Sequence, residues 1–288
     1  MTGFTNDYER RVQGAYSRFG PGSNVWGSAE WGGHTINIYT NHEFIHYLFT
    51  QPFLDSQPKD GAVLADFGSS DGYVADTVSS QLRRSGHRVL PVGIDMNHMY
   101  LIAMEGRHPK VRRLRADLLN MPLPDDSVDF GILRFVLPYF SREQHSRVLG
   151  EIHRAMKKGG RFVAYNDGGF DEQTGKLYNQ FFAESAAALG GWDVETIKAS
   201  RNYPSCETLQ ETARQDGFDV RHAKDLTGEV VGFLSPEIYA SRFVMDRNQK
   251  RRLTNVFRRW KKSGKLPFDD GLRLRRATYT VILEKQSF

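Results

Sequence analysis

Residues 63–73, VLADFGSSDGY, constrain this chain more than any other stretch. Val63, Leu64 and Ala65 suit a short buried strand, and Asp66 stands where that strand ends. Gly68, Ser69, Ser70, Asp71 and Gly72 are small or turn-forming, so the chain reverses tightly here. Val74, Ala75, Val78 and Leu82 then recur at helical spacing on one face. A small-residue turn between strand and helix lets a ligand approach the backbone, and the helix N-terminus offers unpaired N–H groups. Asp66, opposite those donors, can accept hydrogen bonds from a cationic or hydroxylated ligand. Strand, turn and helix together predict a cofactor cradle.

Two familiar phosphate cradles do not fit. The dinucleotide fingerprint requires G-x-G-x-x-G, whereas the turn here has Gly68 and Gly72 with Ser70 between them. No G-x-x-x-x-G-K-[ST] occurs. Downstream, RVLPVGI (88–94) reads as a second strand with Asp95 at its end, and VRRLRA (111–116) as a third, ending in Asp117 and Leu118. A fourth strand, Asp129 to Leu133, ends at Arg134 before FVLPYF. Ser141 and Gln144 form a capping box on a helix whose apolar face carries Val148, Leu149, Ile152, Ala155 and Met156. That helix is predicted to stop at Gly159-Gly160, and Arg161 to Tyr165 is the fifth strand.

The pattern D-x-G-x-S-x-G resembles motif I of the class I S-adenosylmethionine (SAM) methyltransferases, [DE]-x-G-x-G-x-G, with Ser70 in place of the middle glycine. The segments ADLLNMPLPDDSVDF and LGEIHRAMKKGGRFVAY are similar to the ubiquinone- and menaquinone-type branch and its small-molecule relatives, with Lys158 replacing a proline. The resemblance covers roughly residues 60 to 170. It implies a doubly wound, seven-stranded, mostly parallel Rossmann-like α/β sheet, with SAM as cofactor, S-adenosylhomocysteine (SAH) as product, and no metal. It also implies roles. Asp66, Gly68, Ser70 and Gly72 would cradle the cofactor, and Asp95 would hold the ribose hydroxyls. Met96 would pack on the adenine, Asp117 would take the exocyclic amine, and the Leu118 backbone a ring nitrogen. Arg134 completes the cofactor-side set, and Arg134-Phe135 occupies the place where catechol-type relatives carry a metal-binding aspartate.

Length and composition agree: 288 residues with 39% hydrophobic content suffice for one embellished α/β domain. The single Cys206 leaves no intramolecular disulfide, suits a reducing cytoplasm, and argues against the two-cysteine mechanism of C5-pyrimidine RNA methylation. No apolar leader or membrane-length run is visible, which also predicts a cytoplasmic chain.

The flanks bear on the acceptor. Residues 1–60 are expected to form an N-terminal lid and cover, and residues 61–288 the SAM-binding domain. Tyr16, Phe19, Trp26, Trp31 and Tyr39 lie in a glycine-rich stretch. Its WGGH run, Trp31 to His34, resembles the lid that small-molecule methyltransferases fold over the SAM methionine. A loop packing its aromatics on the core edge is the alternative. His42-Glu43-Phe44-Ile45-His46 matches the H-E-x-x-H of zinc hydrolases, but no third ligand follows in sequence. It is read instead as a covering helix with Phe44, Ile45, Leu48 and Phe49 inward.

Beyond the fifth strand, helices are expected at Thr174–Leu189 and after Ser205, and strands at Asp219–Leu226 and Ala277–Leu283. Between the last two strands lies a basic helical insertion at about 233–270, opened by Ser235-Pro236. Leu253, Val256, Phe257 and Trp260 share one helical face there. From Arg242 to Lys285, fourteen Lys or Arg face four Asp or Glu, a net of +10 against +5 for the whole chain, leaving −5 elsewhere. This asymmetry is read as a solvated helix face, with an anionic partner such as RNA as the alternative.

The expected activity is methyl transfer to a small or medium-sized organic acceptor. An oxygen or carbon acceptor would need a general base, with Tyr139, Asn166, Asp167, His34 and Tyr39 as candidates. An RNA methyltransferase and a non-catalytic SAM-binding subunit are the other classes, with a zinc hydrolase through His42 and His46 more remote.

Overall fold

The computed structural model describes residues 28–31, 34–190, 193–238 and 245–286. Tyr16, Phe19, Trp26, Gly32 and Gly33 lie outside them, as do the side chains of Trp31 and His34. The chain begins with β1 (Ser28–Trp31) and β2 (His34–Asn37), then α1 (His42–Ile45), a π-helical turn (His46–Thr50) and α2 (Gln51–Leu54). The α/β core follows with β3 (Val63–Phe67), α3 (Tyr73–Arg84), β4 (Leu90–Asp95), α4 (His98–Arg107), β5 (Arg112–Arg115) and β6 (Val128–Arg134). A 3-10 turn (Leu137–Tyr139) leads to α5 (Arg142–Ala155), β7 (Met156–Asp167), α6 (Glu172–Gly190), α7 (Val194–Ser200), α8 (Cys206–Gln215) and β8 (Phe218–Asp225). The last elements are β9 (Val231–Leu234), α9 (Arg247–Ser263), β10 (Leu274–Arg275) and β11 (Thr278–Lys285).

Seven strands form one sheet in the order β5-β4-β3-β6-β7-β11-β8. The β5-β4-β3-β6-β7 ladders are parallel, and β11 runs antiparallel between β7 and β8. Chain order therefore reverses between β3 and β6. In open α/β sheets, ligands bind beyond the carboxyl ends of the strands at such a switch point. One face of the sheet packs on α5 and α8 through Val148, Leu149, Ile152, Leu209 and Ala213. The opposite face is covered by Phe44, Phe49 and Phe53 from the first helices, packed on Leu64, Ile132, Val163 and Tyr165. The H-E-x-x-H run is thus part of a covering helix, as its apolar positions predict.

Most boundaries shift by a residue or two from the sequence reading, and two departures are larger. Helix α5 ends at Ala155, before Gly159-Gly160, because Met156 already adopts extended backbone and pairs with Val128. Gly159, at φ +74°, sits inside β7 where the ladder with β6 shifts register. The segment between β8 and β11 is also more than helical. Its β9 and β10 join β1 and β2 in a separate sheet of order β10-β9-β1-β2. Ala29 pairs with Gly232 and Leu274 with Leu234, so the N-terminal segment and the late insertion are hydrogen-bonded into one structure.

Candidate functional site

The turn after β3 is built on the end of β4. The amides of Gly68 and Ser69 both donate to the Ile94 carbonyl, at 2.8 and 2.9 Å. Gly68 and Gly72 have φ of +76° and +81°, where a Cβ is strained. Space forbids one as well: at Gly68 it would run into Val136, and at Gly72 it would lie 2.7 Å from Met104 Cγ. Ser70 also has positive φ, +51°, so the small-for-glycine substitution keeps the turn at some backbone cost. The amide of Ser70 donates to Asp95 Oδ2 at 2.9 Å, and that of Asn97 to Asp95 Oδ1 at 2.8 Å. Each carboxylate oxygen thus keeps capacity for a further donor. Burial pushes the Asp95 carboxyl above the usual carboxylate range, opposed by the amides of Asn97, Ser70 and Met96.

Asp66 is buried inside β3, which runs one residue further than expected, to Phe67. Its carboxyl is pushed up to about 7, first by burial, with Arg134 and the Ala75 amide opposing and Asp95 and Asp71 adding. A buried acid poised near neutrality is ready for a cationic ligand group. Farther along the sheet edge, Met96 is exposed and Leu118 buried. Asp117 Oδ1 accepts from the Leu119 amide at 3.0 Å.

The other half of the edge alternates charge with aromatic rings. Arg134 Nη1 donates to the Tyr39 carbonyl at 3.2 Å, and its guanidinium lies 5.3 Å from the centre of the Tyr39 ring. Tyr39 meets Phe135 edge-on at 5.8 Å. Phe135 has φ of +57°, an outlier for an aromatic residue, and its amide is held by the Tyr165 carbonyl at 2.9 Å. The Arg276 guanidinium stands 5.2 Å from the Phe135 ring and pairs with Asp167 Oδ2 at 2.5 Å. Asp167 Oδ1 is buried without a hydrogen-bond partner among the described residues, as are both amide atoms of Asn166. Burial raises the Tyr165 phenol.

The structure therefore gathers Asp66, Gly68, Ser70, Gly72 and Asp95 at one end of the crevice, and Tyr39, Arg134, Asn166 and Asp167 at the ends of β6 and β7. Tyr139 is different: it is 42% exposed, with the Arg201 guanidinium 4.9 Å from its ring centre. His34 opens β2, and its side chain lies outside the described residues. His42 Nε2 sits 3.3 Å from the Tyr73 hydroxyl, and among the described residues no three His, Cys, Asp or Glu come together to hold a metal. Sequence reasoning missed Arg276. It lies in RLRRATYT among other arginines, and nothing in the spacing marks it as the buried one.

A family model described as a methyltransferase domain matches residues 65–164. A carboxy-S-adenosyl-L-methionine synthase of Pseudomonas putida is 28% identical over 173 residues, 55% of this chain and 69% of that protein. A demethylmenaquinone methyltransferase of Thermus thermophilus is 30% identical over 130 residues, 41% of this chain and 56% of that protein. Among solved structures, the cyclopropane synthase MmaA2 of Mycobacterium tuberculosis superposes with a TM-score of 0.66 at 13% identity, covering 99% of both chains. The match to that structure is one of fold.

Proposed function

Because this chain belongs to the class I SAM-dependent methyltransferases, we propose that it methylates a small or medium-sized organic acceptor held where β6 and β7 end. The observation that carries this reading is the joint geometry of the glycine turn and Asp95. A turn that leaves no room for a Cβ at Gly68 or Gly72 is locked to an acid that keeps capacity for two hydroxyl donors. That arrangement fits the methionine and ribose portions of SAM. Bound there, SAM supplies an electrophilic methyl group on a sulfonium.

The protein's own residues do the rest. Asp95 would receive the ribose hydroxyls, Met96 would pack on the adenine, Asp117 would take its amine and the Leu118 backbone a ring nitrogen. Asp66 receives the cofactor ammonium, and Arg134 limits the charge repulsion between Asp66 and its acidic neighbours. Phe135 and Tyr39 wall the crevice with apolar surface, which excludes water and aligns the nucleophile. Asp167 Oδ1 and both amide atoms of Asn166, at the end of β7, are buried without a hydrogen-bond partner among the described residues. Buried groups of this kind cost stability until they are satisfied. Asp167 is the base for a protic nucleophile, and Arg276 fixes its orientation.

The cofactor reading is tested by melting. At a hundredfold excess over Kd, a ligand selective for the folded state contributes about 2.7 kcal/mol. For a chain of this size SAM and SAH are expected to raise Tm by roughly 5–10 °C, with NAD and ATP inert. Absence of a shift with both sulfur nucleotides would remove the central claim.

Asp66 adds a pH test. Its folded-state carboxyl lies near 7, well above its unfolded value, so the ligand-free protein holds a proton there through the mildly acidic range. Binding an ammonium favours the ionised form, and the proton must leave. SAH affinity is therefore expected to weaken as pH falls below about 7, by roughly tenfold between pH 8 and 5.5. Calorimetry should show proton release on binding in that window, abolished in Asp66→Asn. A flat pH profile in the parent protein would place the ammonium elsewhere.

A further inference from the structure

Helix α9 carries eight Lys or Arg and no Asp or Glu in its seventeen residues. Its inner face is fixed: Leu253, Val256, Phe257 and Trp260 are buried, largely against α6. Trp260 Nε1 and Arg259 Nη2 both donate to Glu184 Oε2, at 2.7 and 2.5 Å. Arg252 Nε reaches the Ala188 carbonyl at 3.0 Å, and Lys261 Nζ the Asp270 carbonyl at 2.7 Å. These cations fasten the helix to its neighbours.

The remaining five are different. Arg247, Lys250, Arg251, Arg258 and Lys262 are exposed. Their side chains make no hydrogen bond or ion pair among the described residues. Arg247, Arg251, Arg258 and Lys262 fall at i, i+4, i+11 and i+15, one stripe roughly 22 Å long at 1.5 Å per residue. The arrangement works against the helix itself. Arg247 with Arg251 and Arg258 with Lys262 are like-charge i, i+4 pairs, each destabilising by a few tenths of a kcal/mol. Arg247 and Lys250 also sit in the first turn, where the helix dipole disfavours cations. Nearby acids do not relieve them. Glu184 is engaged by Arg259 and Trp260, Asp246 caps the helix through the Gln249 amide, and Asp269 is paired with Arg273.

A face needed only for solubility has no use for this concentration of one sign. We propose that the exposed stripe of α9 is a docking surface for nucleic acid, engaged through its phosphodiester backbone. A row of guanidinium and ammonium groups on a rigid helix matches a linear polyanion. A lipid surface is the poorer fit, because every large apolar residue of α9 faces inward and none is left to enter a bilayer. The inference is independent of the methyl acceptor, since it rests on a surface that takes no part in the cofactor crevice.

The test uses the full chain with labelled 30-nucleotide RNA and 30-base-pair DNA, read by fluorescence anisotropy from 50 to 200 mM salt. Vesicles containing phosphatidylserine are floated in parallel. Affinity for at least one nucleic acid is expected to fall by two orders of magnitude or more across that salt range. The double reversal Arg251→Glu with Arg258→Glu should lose binding at least tenfold, and the milder pair Arg251→Gln with Arg258→Gln should lose part of it. The control Arg83→Glu with Arg84→Glu alters the net charge equally on exposed residues of α3 and should bind as the parent does. The proposal is overturned by binding to neither nucleic acid, by binding to vesicles alone, or by equal loss in the control. SAH affinity, measured on the same variants, should stay unchanged and so separates failure here from failure of the cofactor reading.

Discussion

Arg276→Ala is expected to lower Tm by roughly 8–15 °C. Arg276 is only 5% exposed, and it joins two parts of the molecule. Its guanidinium pairs with Asp167 at the end of β7 and lies against Phe135, while its backbone amide donates to the Gly232 carbonyl of β9 at 2.8 Å. A buried ion pair gains little net stability over an apolar pair of the same shape, because desolvation offsets most of the attraction. Removing one partner is another matter. It leaves Asp167 buried with neither oxygen satisfied, at a cost of about 3–5 kcal/mol. For a chain near this length, each kcal/mol corresponds to about 2–4 °C. The double substitution Arg276→Met with Asp167→Leu should recover much of the loss, since no uncompensated charge remains. Thermal and denaturant melts of the single and double variants decide the matter. A single variant within 2 °C of the parent would mean that Asp167 finds another partner.

The sheet was legible because each core strand of the SAM domain carries its own local signal. Val63–Phe67 is apolar and followed by a glycine turn, and Ser141 with Gln144 announces α5 through hydrogen bonds made within four residues. The inward face of α9 was equally plain from the spacing of Leu253, Val256, Phe257 and Trp260. What stayed hidden depends on partners distant in sequence. Strands β9 and β10 are four and two residues long; β9 exists because it pairs with β1, about two hundred residues earlier, and β10 because it pairs in turn with β9. The end of α5 was misplaced for the same reason: pairing of Met156 with Val128 outweighs the helical pattern that continues through it. In the site, the acids at the ends of β3 and β4 could be read from position alone. The basic partner of Asp167 could not, because Arg273, Arg275 and Arg276 look alike until the fold buries one of them.

Asp95→Ala is expected to weaken SAM and SAH binding at least tenfold while leaving a folded protein. Two charge-assisted hydrogen bonds to the ribose would be lost, each contributing about 1.5–3 kcal/mol, and tenfold needs only 1.4 kcal/mol. The fold should tolerate the change because the acid is a burden to the ligand-free protein. Burial raises its folded-state pKa, so ionised Asp95 costs stability above its unfolded pKa, and that cost is absent only when pH falls below it. The Ser70 and Asn97 amides that donate to it belong to turns that water can reach once the carboxylate is gone. Asp95→Asn separates charge from shape: it can still accept from the Ser70 amide but loses the anion, and its affinity should fall between parent and alanine variant. Titration calorimetry with SAH measures all three, and melting without ligand checks that each is folded. Equal affinity across the series in folded proteins would show that the ribose is held elsewhere and that the end of β4 serves the turn alone.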